Sequence, residues 1–235
     1  MKLVPSLVSL FGVSFGRILA ISGCAFGILA APKALALSGS LASLPTDAQA
    51  HSDGTVTSTA ATFGRVGAGS GIRHSVVHVF EIPAAVLQDP TQRFAAATYT
   101  VRLGSGPVMT HNCDLYGLPY RTTAAVLASD FYEGVLDPNA ALVKDNFLTP
   151  SVASYSVQSV SDGALVDYLN SALTAARNNG ATTAYVVLRL NLDSYQWSNS
   201  YLIGMNEAQS GYPPKLDYTT AVSYTHLTLP TTERV

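Results

Sequence analysis

The chain has 235 residues and a mass of 24.6 kDa, enough for a hydrophobic core without disulfides or bound metal. Hydrophobic residues make up 48% and charged residues 12%, a composition that excludes a disordered chain, while frequent glycine and proline disfavour several membrane spans. The net charge of −2 gives no basic surface that could neutralise phosphates, so no nucleic-acid partner is expected.

Residues 1–36 have the layout of a secretory signal peptide. Two positive charges precede an uncharged apolar run at 18–31, and Ala34 and Ala36 are the small residues that a signal peptidase recognises. This order predicts cleavage after Ala36 and a secreted or cell-surface protein.

Two alternatives to simple cleavage remain open. Residues 7–31 are long enough for a retained anchor helix if it tolerates Arg17, and the Ile-Ser-Gly-Cys stretch ending at Cys24 resembles a lipoprotein box. Unless the protein is lipidated at Cys24, the mature chain is expected to have no membrane partner. Cleavage after Ala36 leaves Cys113 as the only cysteine, predicted to be a buried, inert thiol.

The rest of the chain divides into three parts. Residues 37–50 are small and polar and are predicted to be a linker, with a frayed strand as the alternative, and residues 51–220 are predicted to form one domain. Residues 221–235 contain Ser-Tyr-Thr-His-Leu-Thr-Leu-Pro-Thr-Thr, which resembles translated sequencing adapter. They are interpreted as a non-native tail, with a genuine last strand as the alternative.

Alternation of apolar and polar residues dominates the predicted domain and is clearest at 97–103. Eight strands are predicted, at 54–60, 75–82, 97–103, 111–118, 154–160, 184–192, 200–205 and 214–218. Eight strands separated by turn residues indicate an all-β fold, an antiparallel sandwich or barrel.

One segment has helical spacing instead. Residues 162–179 carry apolar side chains three and four apart, with Ser161 or Asp162 as a candidate cap and Gly180 just after the end. The spacing predicts one amphipathic helix against an edge or end of the sandwich. A shorter helical turn is predicted within 123–131. The glycine-rich residues 67–71 are interpreted as a flexible loop rather than a phosphate-binding motif.

Seven stretches are similar in spacing and residue type to the opening and closing strands of DNRLRE-type domains. They lie at 53–56, 73–83, 97–103, 167–169, 185–190, 201–208 and 213–218. The resemblance implies a jelly-roll-like β-sandwich of secreted bacterial proteins, some of which act as carbohydrate-binding modules for acidic polysaccharide such as alginate. Because the lysines and arginines here are dispersed along the chain, an acidic glycan is disfavoured.

Aromatic residues mark the predicted binding site. Tyr195, Trp197 and Tyr201 surround the connection between two predicted strands, and exposed aromatic rings there would stack against the C–H faces of sugars. The alternative is that Trp197 fills the core. A second, weaker group on neighbouring loops consists of Tyr116, Tyr120, Tyr132 and Tyr212.

The acidic residues Asp130, Glu133 and Asp137 are weak candidates for a structural calcium site, because hard cations take oxygen ligands. A solvated loop with Asx turns at Asp137 and Asp145 is the alternative. No other cofactor is expected. His74 and His78 are about 13 Å apart on a strand, too far to share a metal.

No catalytic motif is recognised, so the chain is not expected to be an enzyme. The function predicted is that of a secreted, non-catalytic module binding extracellular carbohydrate. A structural or adhesive cell-surface module without a small ligand, contacting cell-surface components, is the first alternative. A polysaccharide-active enzyme is the second.

Overall fold

Antiparallel β-strands are the main regular structure of the described residues. The computed structural model describes residues 35–58, 62–105, 110–194, 200–206 and 213–222. The strands found there are β1 (Ser38–Ala42), β2 (Ala48–His51), β3 (Val56–Ser58), β4 (Phe63–Gly69), β5 (Ile72–Glu81), β6 (Gln92–Arg102), β7 (Cys113–Arg121), β8 (Ala141–Leu148), β9 (Val157–Val160), β10 (Tyr185–Leu192), β11 (Ser200–Gly204) and β12 (Lys215–Val222).

The strands of the described ranges form two sheets. The smaller sheet has the order β1-β12-β6-β9, and the larger has the order β11-β4-β5-β10-β7-β8, with β2 paired to β5 and β3 paired to β2. Neighbouring strands are antiparallel. The predicted class, an antiparallel all-β sandwich with one amphipathic helix, is confirmed.

The main core includes side chains from both sheets. Tyr99 and Val101 of β6 belong to the same buried cluster as Phe80 and Leu188 of the larger sheet. The rings of Tyr99 and Phe80 meet edge to face with centroids 6.2 Å apart. Burial of these apolar surfaces is the principal source of stability.

The predicted helix is α2 (Gly163–Asn178), which begins after Asp162; a shorter helix, α1 (Ala84–Leu87), follows β5. Gly180 has a φ of 64°, the left-handed conformation that favours glycine after a helix end. Helix α2 packs against β6 of the smaller sheet and against β7 and β8 of the larger one. Among the described residues, no helix is long and apolar enough to span a membrane.

Two predictions about irregular segments are wrong. Residues 37–50 are not a linker, because they contain β1 and most of β2; the strand alternative is the correct one. The small residue Gly39 allows the ring of Tyr218 to lie close to β1, since a Cβ at this glycine would meet that ring at 2.7–2.9 Å.

Residues 67–71 are not a loop either. They contain the end of β4 and the two-residue turn Ser70-Gly71, where φ is 52° and 83°. The predicted helical turn within 123–131 is a single 3-10 turn at Ala128–Asp130. Strand β12 continues to Val222, and residues 223–235 lie outside the described residues.

Candidate functional site

The candidate site is built on the segment 122–140, which connects β7 to β8. A second apolar cluster on the larger sheet, including Val79, Leu118 and Val187, packs against Val126 and Phe131 of this segment. The segment therefore covers the sheet through side-chain burial, and its position is fixed by the fold.

Arg189 of β10 is the centre of the site. Its side chain is only 2% exposed, and one guanidinium nitrogen donates a hydrogen bond to Asp137 at 2.8 Å. Another nitrogen donates to the side-chain oxygen of Asn191 at 3.0 Å. The guanidinium carbon lies 5.2 Å from the ring centroids of both Tyr116 and Tyr132. These partners compensate the cost of burying the charge.

A second ion pair holds the first part of the segment. Arg121, at the end of β7, donates to both carboxylate oxygens of Asp130, and this carboxylate also accepts the backbone N–H of Leu127 at 2.8 Å. The side chain of Asp130 is 2% exposed. A two-pronged contact between planar groups orients both side chains as well as joining them.

Tyrosine hydroxyls fix the far part of the segment. Tyr116 donates to the carbonyl of Val135 at 2.8 Å, and Tyr132 donates to the carbonyl of Leu136 at 2.6 Å. Arg73 of β5 pairs with Glu133 at the surface. The segment is therefore held by side chains of β5, β7 and β10 before any ligand binds, which reduces the entropy cost of binding.

An open polar cavity of about 290 Å³ lies here, lined by Leu118, Pro119, Tyr120, Arg121, Ser129, Asp130, Tyr132, Asp137, Asn139 and Arg189. Tyr120 and Tyr132 are half-buried, while Ser129 and Asn139 are exposed. Two arginines face two aspartates, so the formal charge of the lining balances to zero. The cavity offers aromatic rings together with fixed donors and acceptors.

The residues predicted as the binding surface do not form one exposed row. Tyr195 and Trp197 lie outside the described residues. Tyr201 is 5% exposed, belongs to the main core cluster, and donates its hydroxyl to the carbonyl of His111 at 3.1 Å. Tyr201 is therefore a core residue, because β11 turns its ring inward, and it cannot offer a stacking surface.

The four tyrosines predicted as a weaker aromatic group do not form one surface in the structure either. Tyr116 is fully buried, and Tyr212 lies outside the described residues. Tyr120 and Tyr132 line the polar cavity together. The polar cavity is thus where the structure brings two of the predicted tyrosines to the same opening.

The three acidic metal candidates are separated by their partners. Asp130 pairs with Arg121, Glu133 with Arg73, and Asp137 with Arg189. In the part of the chain that the structure describes, no three metal-ligating side chains come together. The predicted Asx turn at Asp137 is present, since its carboxylate accepts the N–H of Asn139 at 2.9 Å. Asp145 instead lies within β8.

Several titratable groups lie away from this cavity. The Nδ1 atoms of His51 and His74 are 2.5 Å apart between β2 and β5, and burial lowers the pKa of His74 to about 4. The fully buried His78 contacts the hydroxyl of Tyr99 at 2.7 Å. Burial raises the pKa of Asp114 to about 6. Cys113 is a buried free thiol, as predicted.

Arg189 and Arg121 were not predicted as site residues from the sequence, and Asp137 was predicted only as a weak metal candidate. An arginine between leucines, in a strand where Asn191 is the only other strongly polar residue, is a usable signal, because a buried cation requires a carboxylate partner. Which carboxylate pairs with this arginine cannot be predicted from the sequence in the same way.

Compared with known proteins, the chain matches no protein-family model and no curated protein.

Proposed function

We propose that this chain is a secreted, non-catalytic module that binds a neutral sugar unit of an extracellular glycan in the polar cavity. The proposal rests on one observation: two half-buried tyrosine rings line the same cavity as two arginine–aspartate ion pairs, whose formal charges cancel. The signal-peptide pattern of residues 1–36 and the resemblance to DNRLRE-type domains support an extracellular role for such binding.

Tyr120 and Tyr132 supply the apolar part of the recognition. A sugar ring has C–H faces that pack against aromatic rings, and such contacts contribute on the order of 1 kcal/mol per ring beyond area burial. The ring of Tyr132 is held by its hydroxyl bond to Leu136 and by the contact with Arg189. A ring held in place loses little entropy when a sugar packs on it.

The polar lining suits hydroxyl groups. Every sugar hydroxyl can donate one hydrogen bond and accept two, and the cavity lining contains guanidinium donors, carboxylate acceptors, the amide of Asn139 and the hydroxyl of Ser129. Arg121 and Asp130 are already paired, so they can bind a hydroxyl without leaving a buried charge alone.

The charge of the cavity lining and the volume of the cavity restrict the class of ligand further. Because the two arginines of the lining are each paired with an aspartate, no unpaired positive charge favours a carboxylate sugar. A volume of about 290 Å³ lies at the small end of ligand cavities, about 300–1,000 Å³, and favours a single sugar ring.

The test measures retention on immobilised glycans by affinity electrophoresis, with neutral polysaccharides and alginate side by side. Wild type should bind at least one neutral polysaccharide more strongly than alginate. Tyr120→Ala should weaken that binding at least tenfold while leaving the melting temperature within a few degrees, because the half-buried ring lies at the edge of the core.

Tyr155→Asn is the matched control. Tyr155 is 58% exposed, lies outside the polar cavity, and has a φ of 60°, a conformation that asparagine tolerates. Binding should survive this loss of a surface ring. Retention on none of the glycans, or equal losses in both variants, would contradict the proposal.

A parallel Trp197→Ala variant tests the aromatic connection proposed from the sequence. If Trp197→Ala abolishes binding and Tyr120→Ala leaves it unchanged, the carbohydrate site lies at that connection and not in the polar cavity. If both variants bind like wild type, neither aromatic group forms the site.

One observation favours a second candidate, a surface module that contacts other macromolecules. Val135 and Leu136, at the far part of the segment 122–140, are 70% and 66% exposed. Exposed apolar side chains next to each other are typical of contact surfaces. Absence of glycan binding together with capture of a cell-surface component that is lost in Leu136→Ser would support this candidate.

A further inference from the structure

We infer that the sugar bound by this module carries an apolar substituent, so that its ligand is an amphiphilic glycoside. This inference rests on the proposed function. Its basis is an apolar cavity of about 380 Å³, defined by Gly117, Ala141, Tyr168, Ala172 and Ala175 with Ser171 at its margin. The two cavities share Leu118, Pro119, Tyr120 and Asn139.

Small residues on facing elements create the apolar cavity. Ala172 and Ala175 lie on α2, Gly117 lies on β7, and none of the three has a side chain larger than a methyl group. Gly117 is required there because a Cβ at this position would meet the ring of Tyr168 at 2.3 Å. The space above Gly117 is therefore filled by the Tyr168 ring, and the open space of the cavity lies beside that ring, where Ala172 and Ala175 of α2 have only methyl groups.

The apolar cavity provides little hydrogen bonding to a ligand. The hydroxyl of Tyr168 lies 2.9 Å from the carbonyls of Leu118 and Val187 and accepts the N–H of Val187 at 2.9 Å. With that hydroxyl engaged inside the protein, the cavity offers mainly apolar side chains and ring surfaces, and its remaining polar side chains include the exposed Ser171 and Asn139. Such a surface binds hydrocarbon and gains nothing from a second sugar ring.

The shared wall determines which ligand fits both cavities. Tyr120 lies on the boundary, with the paired Arg121 and Asp130 on one side and the alanines of α2 on the other. A ligand with its sugar ring against Tyr120 and Tyr132 would place a substituent at the anomeric position along Pro119 toward Ala175. The polar group would meet hydrogen-bonding partners and the apolar group would not.

The test uses methyl, butyl, hexyl and octyl β-D-glucopyranosides, with the corresponding galactosides and mannosides, below their critical micelle concentrations. Isothermal titration calorimetry on the full chain should show affinity rising by about fourfold for each methylene that is fully buried, in at least one sugar series. n-Octanol, which lacks the sugar, should bind at least tenfold more weakly than the octyl glycoside.

Ala175→Leu places a larger side chain in the apolar cavity at a half-buried helix position that tolerates leucine. This variant should bind methyl glycosides like wild type and lose the dependence on chain length. Thr174→Leu is the matched control, because this exposed neighbour lines a different cavity with Arg177, and it should retain the dependence.

The possible outcomes distinguish a failure of this inference from a failure of the proposed sugar-binding function. Binding of a methyl glycoside with no gain from longer chains would overturn the inference and leave the proposed function standing. Equal affinity for n-octanol and octyl glycoside, or no binding of any probe, would overturn both. Concentration-dependent dimerisation that Ala175→Leu abolishes would assign the apolar cavity to a second copy of the chain and overturn the inference.

Discussion

Gly117 sets how closely β7 can approach the ring of Tyr168. We expect Gly117→Ala to lower the free energy of unfolding by about 1–3 kcal/mol, because the added methyl group would overlap a buried ring. Gly163→Ala is the control, since nothing lies within 4 Å of its Cβ, and it should be neutral or stabilising. Urea unfolding of both variants measures the difference, and equal stabilities would contradict the packing described.

Arg189 illustrates which features of the candidate site can be predicted from the sequence and which cannot. Its position within an apolar strand signals a buried cation, and the half-buried Tyr120 and Tyr132 were recognised as candidate aromatics. The partner Asp137 lies 52 residues away in an irregular segment, and no local periodicity connects the two. The inward orientation of Tyr201 was equally hidden, because an aromatic residue in a strand fits a core and a surface alike.

At the scale of elements, the backbone conformation of the turn between β4 and β5 can be tested by substitution. Ser70 and Gly71 both have positive φ, as a two-residue hairpin turn of type I′ requires. Ser70→Asn should raise the melting temperature slightly, since asparagine adopts this conformation more readily than serine. Gly71→Val should lower the unfolding free energy by about 1–2 kcal/mol. A Gly71→Val protein as stable as wild type would contradict the turn.

Strand β6 tests the assignment of faces. Val101 is 1% exposed, and its neighbour Thr100 is half-buried on the other face. Val101→Asp should prevent folding, because an unpaired buried carboxylate costs several kcal/mol, whereas Thr100→Asp should fold. Thermal melts followed by circular dichroism distinguish the two, and equal melting temperatures would show that the faces are misassigned.

Elements with a strong hydrophobic period were predictable, and elements without one were not. The helix α2 and strands such as β6 and β10 were found because one face of each is regularly apolar. Strand β1 was missed because its pattern is set by backbone pairing with β12, and its residues are mostly small or exposed. Glycine-rich β4 was missed for the related reason that glycine carries no strand preference.

For the whole molecule, buried histidines and one acidic residue predict opposite effects of pH. Burial lowers the pKa of His51, His74 and His78, so these three histidines bind more protons in the unfolded chain than in the folded one below about pH 6.5. Through these histidines, the free energy of unfolding is highest at neutral pH and decreases as pH falls toward 4, because protonation favours the unfolded chain. Asp114, with a pKa of about 6, contributes stability at low pH that is lost as pH rises through 6.

Two substitutions separate these contributions. His74→Gln should make the loss of stability on acidification from pH 6.5 to 4 shallower by up to one proton. Asp114→Asn should make it steeper, because the folded state then loses a group that takes up a proton on acidification. Urea unfolding at several pH values gives both slopes. Slopes that change in the same direction would refute the assignment of signs.

The pairing of β1 with β12 has a consequence for how the chain acquires its structure. Within the described residues β1 is hydrogen-bonded to β12 alone, and the register joins Ser38 to Thr219 and Ala42 to Lys215. β12 in turn lies between β1 and β6 at the centre of the smaller sheet. The smaller sheet therefore cannot be completed on the ribosome until β12, the last of its strands in the chain, has been synthesised. Long-range closure of this kind is slow, so a newly made chain is expected to complete the smaller sheet late in folding.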